Sequence, residues 1–328
     1  MLKKIFPFYA ESTFYNSFKI ILVSEGYLAS ERSSFISACV DFSNRLLETS
    51  PFNLTRINSN WLSIYSSFTP SANSGTSINA TPAAGRTAFD SKADTSTGLI
   101  SFDRAKVDNY IKDEKFNFQD TILNLAEYIG KGGLNYGITG ALIVLLLPDS
   151  PGVPNGAEYE SSITDNHYPF IATTFNNEWH QLILRGLCKC LGLGDEHEQI
   201  GIDFLAPDSN AQKDISFPNI EYYENIPTIL TPKSRWYKLF SLVQRGLSID
   251  VQPKNGDLSI PDNSIIDVPI SFNKPAFYEG AGLYRTKVYR SAKDCLMRRQ
   301  IGNSLLPVRI NKVGLCPACF NYVKNLIK

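Results

Sequence analysis

Residues 170–198 read FIATTFNNEWHQLILRGLCKCLGLGDEHE and contain the pattern that decides the fold class. The run FIATTF is short, apolar and β-branched, which favours a buried strand. Asn176 and Asn177 then offer helix caps, and EWHQLILRGLCKCL predicts a helix over about 178–191 that ends at Gly192. A buried strand that leads directly into an apolar helix is the repeating unit of an α/β fold.

The same order of strand and helix occurs earlier in the chain. Residues 18–24 (FKIILVS) and 141–148 (ALIVLLLP) are apolar runs typical of strands covered on both faces. A helix is expected from Ser30 to a stop before Pro51. Its apolar side chains recur every three or four residues; they are Phe35, Ala38, Cys39, Phe42, Leu46 and Leu47. We therefore expect an α/β fold with a mostly parallel sheet.

The remaining segments are less regular. Residues 53–63 are expected to form a further strand, and 103–111 and 118–129 read as helices. Residues 66–100 are rich in Ser, Thr, Asn, Ala and Gly, which predicts a long surface loop. From 205 onward prolines are frequent and a loop-rich region is expected. This gives two subdomains of one domain, an α/β part at 1–204 and a loop-rich part at 205–328.

Composition excludes several classes of protein. The 328 residues contain 32 basic and 32 acidic side chains, so no net field attracts nucleic acid or an anionic membrane. The longest apolar run has eight residues, whereas a membrane-spanning helix needs about 20. No secretory signal is evident near the N-terminus. The expected location is the cytoplasm, or outside the cell by a route without a cleaved signal peptide.

Four separated stretches resemble the IgA-peptidase type of zinc metallopeptidase. Their order and spacing match those of that family's segments, and together they span roughly residues 15–325. The stretches are LVSEGYLASERSSFISACVDFSNRLLETSPF, TAFDSKADTSTGLISFDRAKVDNYI, the strands ALIVLLLPDS and FIATTF with the helix ending in GLGDEHE, and EGAGLYRTKVYRSAKDCLMRR followed by LCPAC. The resemblance implies a metzincin-like catalytic domain in which the active-site helix lies below a mixed sheet.

The catalytic motif of that family is absent from the matching helix. In H-E-x-x-H, two histidines one turn apart bind zinc and the glutamate activates a water molecule. Setting GLGDE against the family's G-L-A-D-E places Leu184 and Cys188 at the histidine positions and Arg185 at the glutamate position. Leucine cannot bind a metal, and arginine stays protonated and cannot act as a base. We therefore expect no zinc at the active site and no other cofactor.

Other polar groups on or near this helix are weaker candidates. Asp195, Glu196 and His197 belong to a former cleft by the resemblance, but consecutive side chains point in different directions and favour a hydrogen-bonded loop. A divergent zinc hydrolase would instead combine Cys188 with Asp195 or His197. His180 and His167 are expected to have structural roles.

The C-terminal cysteines form the other group with chemical potential. Cys316-Pro-Ala-Cys319 is one half of a zinc knuckle, and Cys295 would be a third ligand, although no fourth cysteine or histidine is close in sequence. Three alternatives stay open: buried thiols, a disulfide with Cys295, or a metal site. The resemblance to the IgA-peptidase family implies that these cysteines tie the C-terminal tail to the core.

Three functions are compatible with these residues. The first is a catalytically inactive pseudopeptidase that binds other proteins or belongs to a larger assembly. The second is the divergent zinc hydrolase. The third is a peptide- or glycan-binding module whose groove, by resemblance, would include Glu279, Tyr289 and Arg290. The triple replacement at the catalytic motif favours the first.

Overall fold

The computed structural model describes the chain in separate segments. The described residues are 2–6, 18–53, 61–79, 85–95, 99–113, 115–118, 121–124, 141–148, 157–159, 170–174, 179–194, 217–239, 245–248, 250–252, 276–281, 284–291, 295, 297 and 315–327. The chain divides into two compact units, one built mainly from residues 1–190 and the other from 191–300 with 306–326. Among the described helices, none is long and apolar enough to cross a bilayer.

Four helices and fifteen strands lie in these ranges. The helices are α1 (Arg32–Glu48), α2 (Arg104–Asp113), α3 (Trp179–Cys190) and α4 (Pro317–Ile327). The strands are β1 (Leu2–Phe6), β2 (Phe18–Ser24), β3 (Leu62–Ser67), β4 (Ser77–Ile78), β5 (Lys92–Asp94), β6 (Leu99–Ser101), β7 (Lys115–Phe118), β8 (Thr121–Asn124), β9 (Ala141–Leu147), β10 (Ala157–Tyr159), β11 (Phe170–Thr174), β12 (Ile220–Tyr222), β13 (Asp250–Gln252), β14 (Ala276–Ala281) and β15 (Tyr284–Arg290).

A six-stranded sheet forms the centre of the first unit. Its order is β1-β3-β2-β9-β11-β10, and the four inner strands are parallel while both edge strands are antiparallel. All seven residues of β2 are buried, as are residues 142–147 of β9. Side chains on both faces of these strands are therefore covered, as their uninterrupted apolar runs predict. The prediction of an α/β fold with a mostly parallel sheet is confirmed at this level.

Helices α1 and α3 contact the sheet and each other. Helix α3 packs against β9 and β11, and α1 packs against β3 and α3. The six apolar side chains predicted for α1 are all buried. Its start differs from the prediction, because Ser30 lies in a short 3-10 turn and Glu31 is the capping residue. The Glu31 carboxylate accepts the Leu28 backbone N–H at 2.7 Å, which fixes this turn.

The helix predicted over 118–129 is wrong for the part that the structure describes. Strands β7 and β8 form an antiparallel hairpin in which Phe118 lies opposite Thr121. Pairing these strands supplies the backbone hydrogen bonds that a helix would otherwise make. The spacing of the apolar residues in this region fits both the period of two of a strand and the period of 3.6 of a helix. The sequence pattern alone therefore does not decide between strand and helix.

The surface loop predicted over 66–100 is also wrong for the residues that the structure describes there. Strand β3 continues to Ser67, and β4, β5 and β6, the last of which ends at Ser101, form a three-stranded sheet. Several of its small polar residues are buried; they are Ser66, Ser67, Ser71, Thr76, Ser77, Thr87 and Ser91. Small hydroxyl-bearing side chains allow backbone segments to approach closely and bond to each other, so this composition reflects packing and not exposure.

Glu25 is the residue that holds this region against the central sheet. It follows β2 directly and is fully buried. Its two carboxylate oxygens accept the backbone N–H groups of Phe89 and Ser91, at 2.9 and 3.0 Å. Hydrogen bonds to a carboxylate are about twice as strong as neutral ones, so a single side chain fixes the position of two backbone groups 64 and 66 residues away.

Three further residues of the same turn bond to the backbone of this region. The Ser24 hydroxyl donates to the Thr69 carbonyl and accepts its N–H, both at 2.8 Å. The Tyr27 carbonyl accepts the Ser71 N–H at 2.7 Å, and the Gly26 carbonyl accepts the Gly75 N–H at 2.8 Å. Residues 24–27 are named the docking turn below.

Gly26 is the one position of the docking turn where no side chain fits. Its φ is +70°, in the left-handed region, and an added Cβ would lie 2.4 Å from the Gly75 carbonyl oxygen. Both the backbone conformation and the close approach require glycine.

The second unit contains a four-stranded sheet of order β12-β15-β14-β13. Phe277 of β14 is fully buried, and the rings of Tyr223, Trp236 and Tyr289 surround it with centroids 4.9–6.3 Å away. This aromatic core explains how a proline-rich segment predicted to be loop-rich forms a compact unit, since each ring buries a large apolar surface.

Gly26→Ala is predicted to destabilise the protein more than Gly85→Ala. Gly26 has a φ of +70° and Gly85 has a φ of +76°. An alanine at either position therefore lowers the stability of the protein by about 1–2 kcal/mol through backbone strain. Only Gly26 has an atom within 4 Å of the added methyl group. The clash adds about 1–3 kcal/mol, measurable as a difference in the free energy of unfolding in urea. Equal losses for the two variants would show that the close contact with Gly75 is not tight.

Lys19→Met is predicted to remove a pH dependence of stability. Lys19 of β2 is fully buried, and burial lowers its pKa to about 8. The unfolded chain keeps a pKa near 10.4 and binds more protons between these values, so stability rises with pH across this window. The gain is up to about 3 kcal/mol in the unmodified protein and absent in the variant. Urea unfolding at several alkaline pH values measures it. The exposed Lys233→Met is the control, and an unchanged pH dependence in Lys19→Met would contradict this interpretation.

Candidate functional site

The three positions that the resemblance predicts to correspond to the catalytic motif lie on α3 and are buried. Leu184 is 5% exposed, Arg185 is 4% exposed and Cys188 is fully buried. Ile183 and Leu187, their neighbours on the helix, are fully buried as well. Helix α3 ends as predicted, because Gly192 adopts a φ of +93° that terminates the helix. The motif positions therefore belong to the packed interior of the protein.

The chemistry of these three side chains does not fit a zinc ion. Burial, with a contribution from Cys190, raises the pKa of the Cys188 thiol, so the sulfur stays protonated and binds metals poorly. Arg185 is a permanent cation next to it on the helix and repels a metal ion. Leu184 has no donor atom. We derive no catalytic step through zinc at this helix.

Gly194, which follows α3, is held in place by a side chain that the sequence pattern does not identify. The Asn219 side chain accepts the Gly194 N–H and donates to the Gly194 carbonyl, each at 2.8 Å, and is fully buried. A Cβ on Gly194 would lie 2.6 Å from the Phe217 ring, so the contact requires glycine. Asn219 has no local signal in the sequence, because its partner is 25 residues away. The segment GLG is thus anchored by its backbone.

The predicted cleft residues next to this glycine lie outside the described part of the chain. This applies to Asp195, Glu196 and His197, to His167, and to the side chain of His180 within α3. Their predicted roles stay predictions.

The three groove residues predicted near the C-terminus lie on paired strands of the second unit. Glu279 of β14 is opposite Tyr289 of β15, and its side chain is outside the description. Tyr289 is 7% exposed and packs against Tyr223 and Phe277 in the aromatic core. Arg290 is 4% exposed, with its guanidinium carbon 5.7 Å from the centre of the Tyr278 ring. Tyr289 and Arg290 are therefore mostly buried within this sheet, and the predicted groove role of the three residues stays a prediction.

A buried carboxylate beside the aromatic core was not identified from the sequence. Glu221 of β12 is 5% exposed and accepts hydrogen bonds from the Ser234 hydroxyl at 3.0 Å, the Tyr223 hydroxyl and the Arg235 N–H. Burial raises its pKa, and these hydrogen bonds act in the opposite direction. With three donors bound to it, the carboxylate serves as a structural tie between β12 and the 234–236 turn.

The C-terminal cysteines converge on one point of the second unit. The sulfur atoms of Cys295, Cys316 and Cys319 lie within 4.8 Å of one another, and all three residues are buried. The Sγ atoms of Cys295 and Cys319 are 3.7 Å apart. Elsewhere in the described residues, no other three cysteine, histidine or acidic side chains come this close in a metal-binding arrangement. We call this group the thiol cluster.

The three thiols of the cluster influence each other's protonation. Burial and the neighbouring sulfurs of Cys295 and Cys316 raise the pKa of Cys319 well above its usual value. Burial also acts to raise the pKa of Cys316, but hydrogen bonds from Cys295, Cys319 and Ser291 outweigh it and lower that pKa. The cluster is thus an interacting set and differs from isolated core thiols such as Cys39.

Comparison with known proteins adds no family assignment. No protein-family model matches the chain, and no curated protein matches it significantly. The resemblance to IgA peptidases therefore rests on the quoted motifs, and what it implies about function is a matter for proposal.

Proposed function

We propose that this chain is a pseudopeptidase, a metallopeptidase-like protein with a metzincin-like fold that has lost catalysis and binds other proteins. The observation that carries the proposal is the position of Leu184, Arg185 and Cys188. The quoted motifs align these three with the histidine, glutamate and histidine of the zinc signature, and all three are at most 5% exposed. An aliphatic side chain, a cation and a protonated thiol at these positions support loss of hydrolysis.

The burial of Arg185 also supports the loss of hydrolysis, because burying a charge costs free energy. Removing a guanidinium from water costs several kcal/mol unless partners compensate it. Arg185 is nevertheless buried, at the position that the motif alignment gives to the catalytic base. The arrangement supports a helix that no longer opens toward a substrate.

The binding part of the proposal rests on charge and on two exposed apolar residues. Equal numbers of basic and acidic side chains give no long-range field, which suits a protein partner better than a polyanion. Ile229 is 49% exposed and Leu247 is 42% exposed. A backbone bridge between Ile229 and Ser248 places these two side chains on adjacent segments. We propose this apolar pair as part of the surface that contacts a partner protein.

Restoring the motif is predicted to create a zinc site. The combination Leu184→His, Arg185→Glu and Cys188→His should bind one zinc ion per chain more than the unmodified protein, because two imidazoles one helical turn apart can share an ion. The unmodified chain should cleave no peptide substrate. Metal analysis and a peptidase assay with and without chelator measure both outcomes.

The matched control is Ile183→His with Leu187→His. These residues are equally buried and equally spaced on the same helix, but face a different direction. Extra zinc in the restored variant alone would support the alignment. Equal zinc in both, or none in a restored variant that remains folded by circular dichroism, would refute the alignment. Chelator-sensitive cleavage by the unmodified chain would refute the loss of catalysis.

Ile229→Ser combined with Leu247→Ser is predicted to abolish partner capture. The partner should be retained by the unmodified protein on an affinity column, and the double variant should lose at least about tenfold in affinity if each buried side chain contributes about 1 kcal/mol. Val40→Ser in α1 is the control, since Val40 is also exposed but lies in the first unit. Unchanged capture by the double variant would exclude this surface.

A further inference from the structure

The thiol cluster combines residues from two distant segments. Cys295 follows strand β15, whereas Cys316 and Cys319 are at the start of α4, 21 and 24 residues further on. The exposures of the three residues are 0%, 2% and 0%. Three of the six cysteines of the chain therefore meet at one place, and the fold of the backbone brings them together.

The local structure of α4 presents its two cysteines in one direction. Pro317 occupies the first helical position, where its missing N–H costs nothing. Cys316 precedes it as the capping residue, and its carbonyl accepts the first helical bond, from Phe320, at 2.8 Å. Cys319 is in the first turn. The positive end of the helix dipole lies near both positions and offsets part of the cost of a negative charge on sulfur there.

Backbone amides are also directed at the third sulfur. The Cys316 N–H donates to Cys295 Sγ at 3.2 Å, and the Met297 N–H donates to the same atom at 3.5 Å. The Ser291 hydroxyl lies 3.7 Å from Cys316 Sγ. Such donors stabilise thiolates, and they form the outer shell that orients sulfur ligands around a metal. A neutral thiol in an apolar core does not need them.

The distances between the sulfurs favour a metal over a disulfide. Sulfurs bound tetrahedrally to zinc at about 2.3 Å lie about 3.8 Å apart, whereas disulfide-bonded sulfurs are about 2.05 Å apart. The distance of 3.7 Å between Cys295 Sγ and Cys319 Sγ agrees with the former value. Three convergent thiols also exceed what one disulfide uses.

We propose that Cys295, Cys316 and Cys319 bind a zinc ion as three thiolates and thereby fasten α4 to the segment after β15. Binding releases the three thiol protons to solvent and leaves the sulfurs bonded to the ion. Three sulfurs leave the fourth tetrahedral position to a water molecule or to the Ser291 hydroxyl. The role we propose for the ion is to connect two buried chain segments, and it is independent of the proposed function since none of the three cysteines lies on α3.

The first test measures metal in the full-length unmodified chain, purified under reducing conditions. We expect one zinc per chain, with three sulfurs at about 2.3 Å by X-ray absorption. Cobalt substitution should give the thiolate charge-transfer absorption of a sulfur-rich site. Absence of bound metal after incubation with zinc or cobalt, or a disulfide within the cluster in this reduced sample, would overturn the proposal. Bound copper in place of zinc would overturn the choice of ion.

The second test uses single substitutions. Cys295→Ser, Cys316→Ser and Cys319→Ser should each lower zinc affinity by at least about tenfold. Cys39→Ser, which removes an equally buried thiol from α1, should leave affinity unchanged. A chelator should lower the unfolding temperature of the unmodified protein and of Cys39→Ser. If the cluster variants do not fold, the spectra of the unmodified chain decide the question; equal zinc affinity in all four variants would overturn the proposal.

Discussion

The docking turn is the constraint on which the first unit depends. Strand β2 is the centre of the parallel sheet, and a buried Glu25 carboxylate immediately after it binds two backbone amides that have no strand partner. A buried carboxylate needs donors and buried amides need acceptors, so each group satisfies the other. Removing the Glu25 carboxylate alone would leave a buried backbone N–H without this acceptor. This mutual dependence connects the central sheet to the three-stranded sheet formed by β4, β5 and β6.

Recognition of backbone instead of side chains explains the unusual composition between 66 and 100. Glu25, Ser24 and Gly26 all bond to main-chain atoms of this region. Bonds to main-chain atoms do not depend on which side chain the bonded residue carries, and close contacts such as that between Gly26 and Gly75 favour small residues. A sequence selected for small size and hydroxyl groups has no apolar period. It was therefore predicted to be a surface loop although much of it is buried.

The sequence predicts elements whose signal is local and misses those that depend on distant partners. Strands β2, β9 and β11 and helices α1 and α3 follow from apolar runs and caps within each segment. The β7–β8 hairpin was predicted as a helix, because the same residues fit both periods and pairing decides between them. For the site, the resemblance predicts which residues stand at the zinc-motif positions, but the sequence does not show that all three are buried. Asn219 and Glu221 could not be found, since their partners are contributed by the folded chain.

The contrast between two kinds of cysteine shows how the fold controls metal chemistry. Cys188 is in the last part of α3, where its own N–H is used by the helix and burial keeps its thiol protonated. Cys316 caps the start of α4, where the first N–H groups have no partner within the helix, and its own N–H donates to Cys295 Sγ. The same side chain is thus inert within a helix and suited to ligation at a helix N-terminus. The proposed loss of metal ligands on α3 and the proposed zinc site at α4 are therefore compatible, because the two positions depend on different backbone groups.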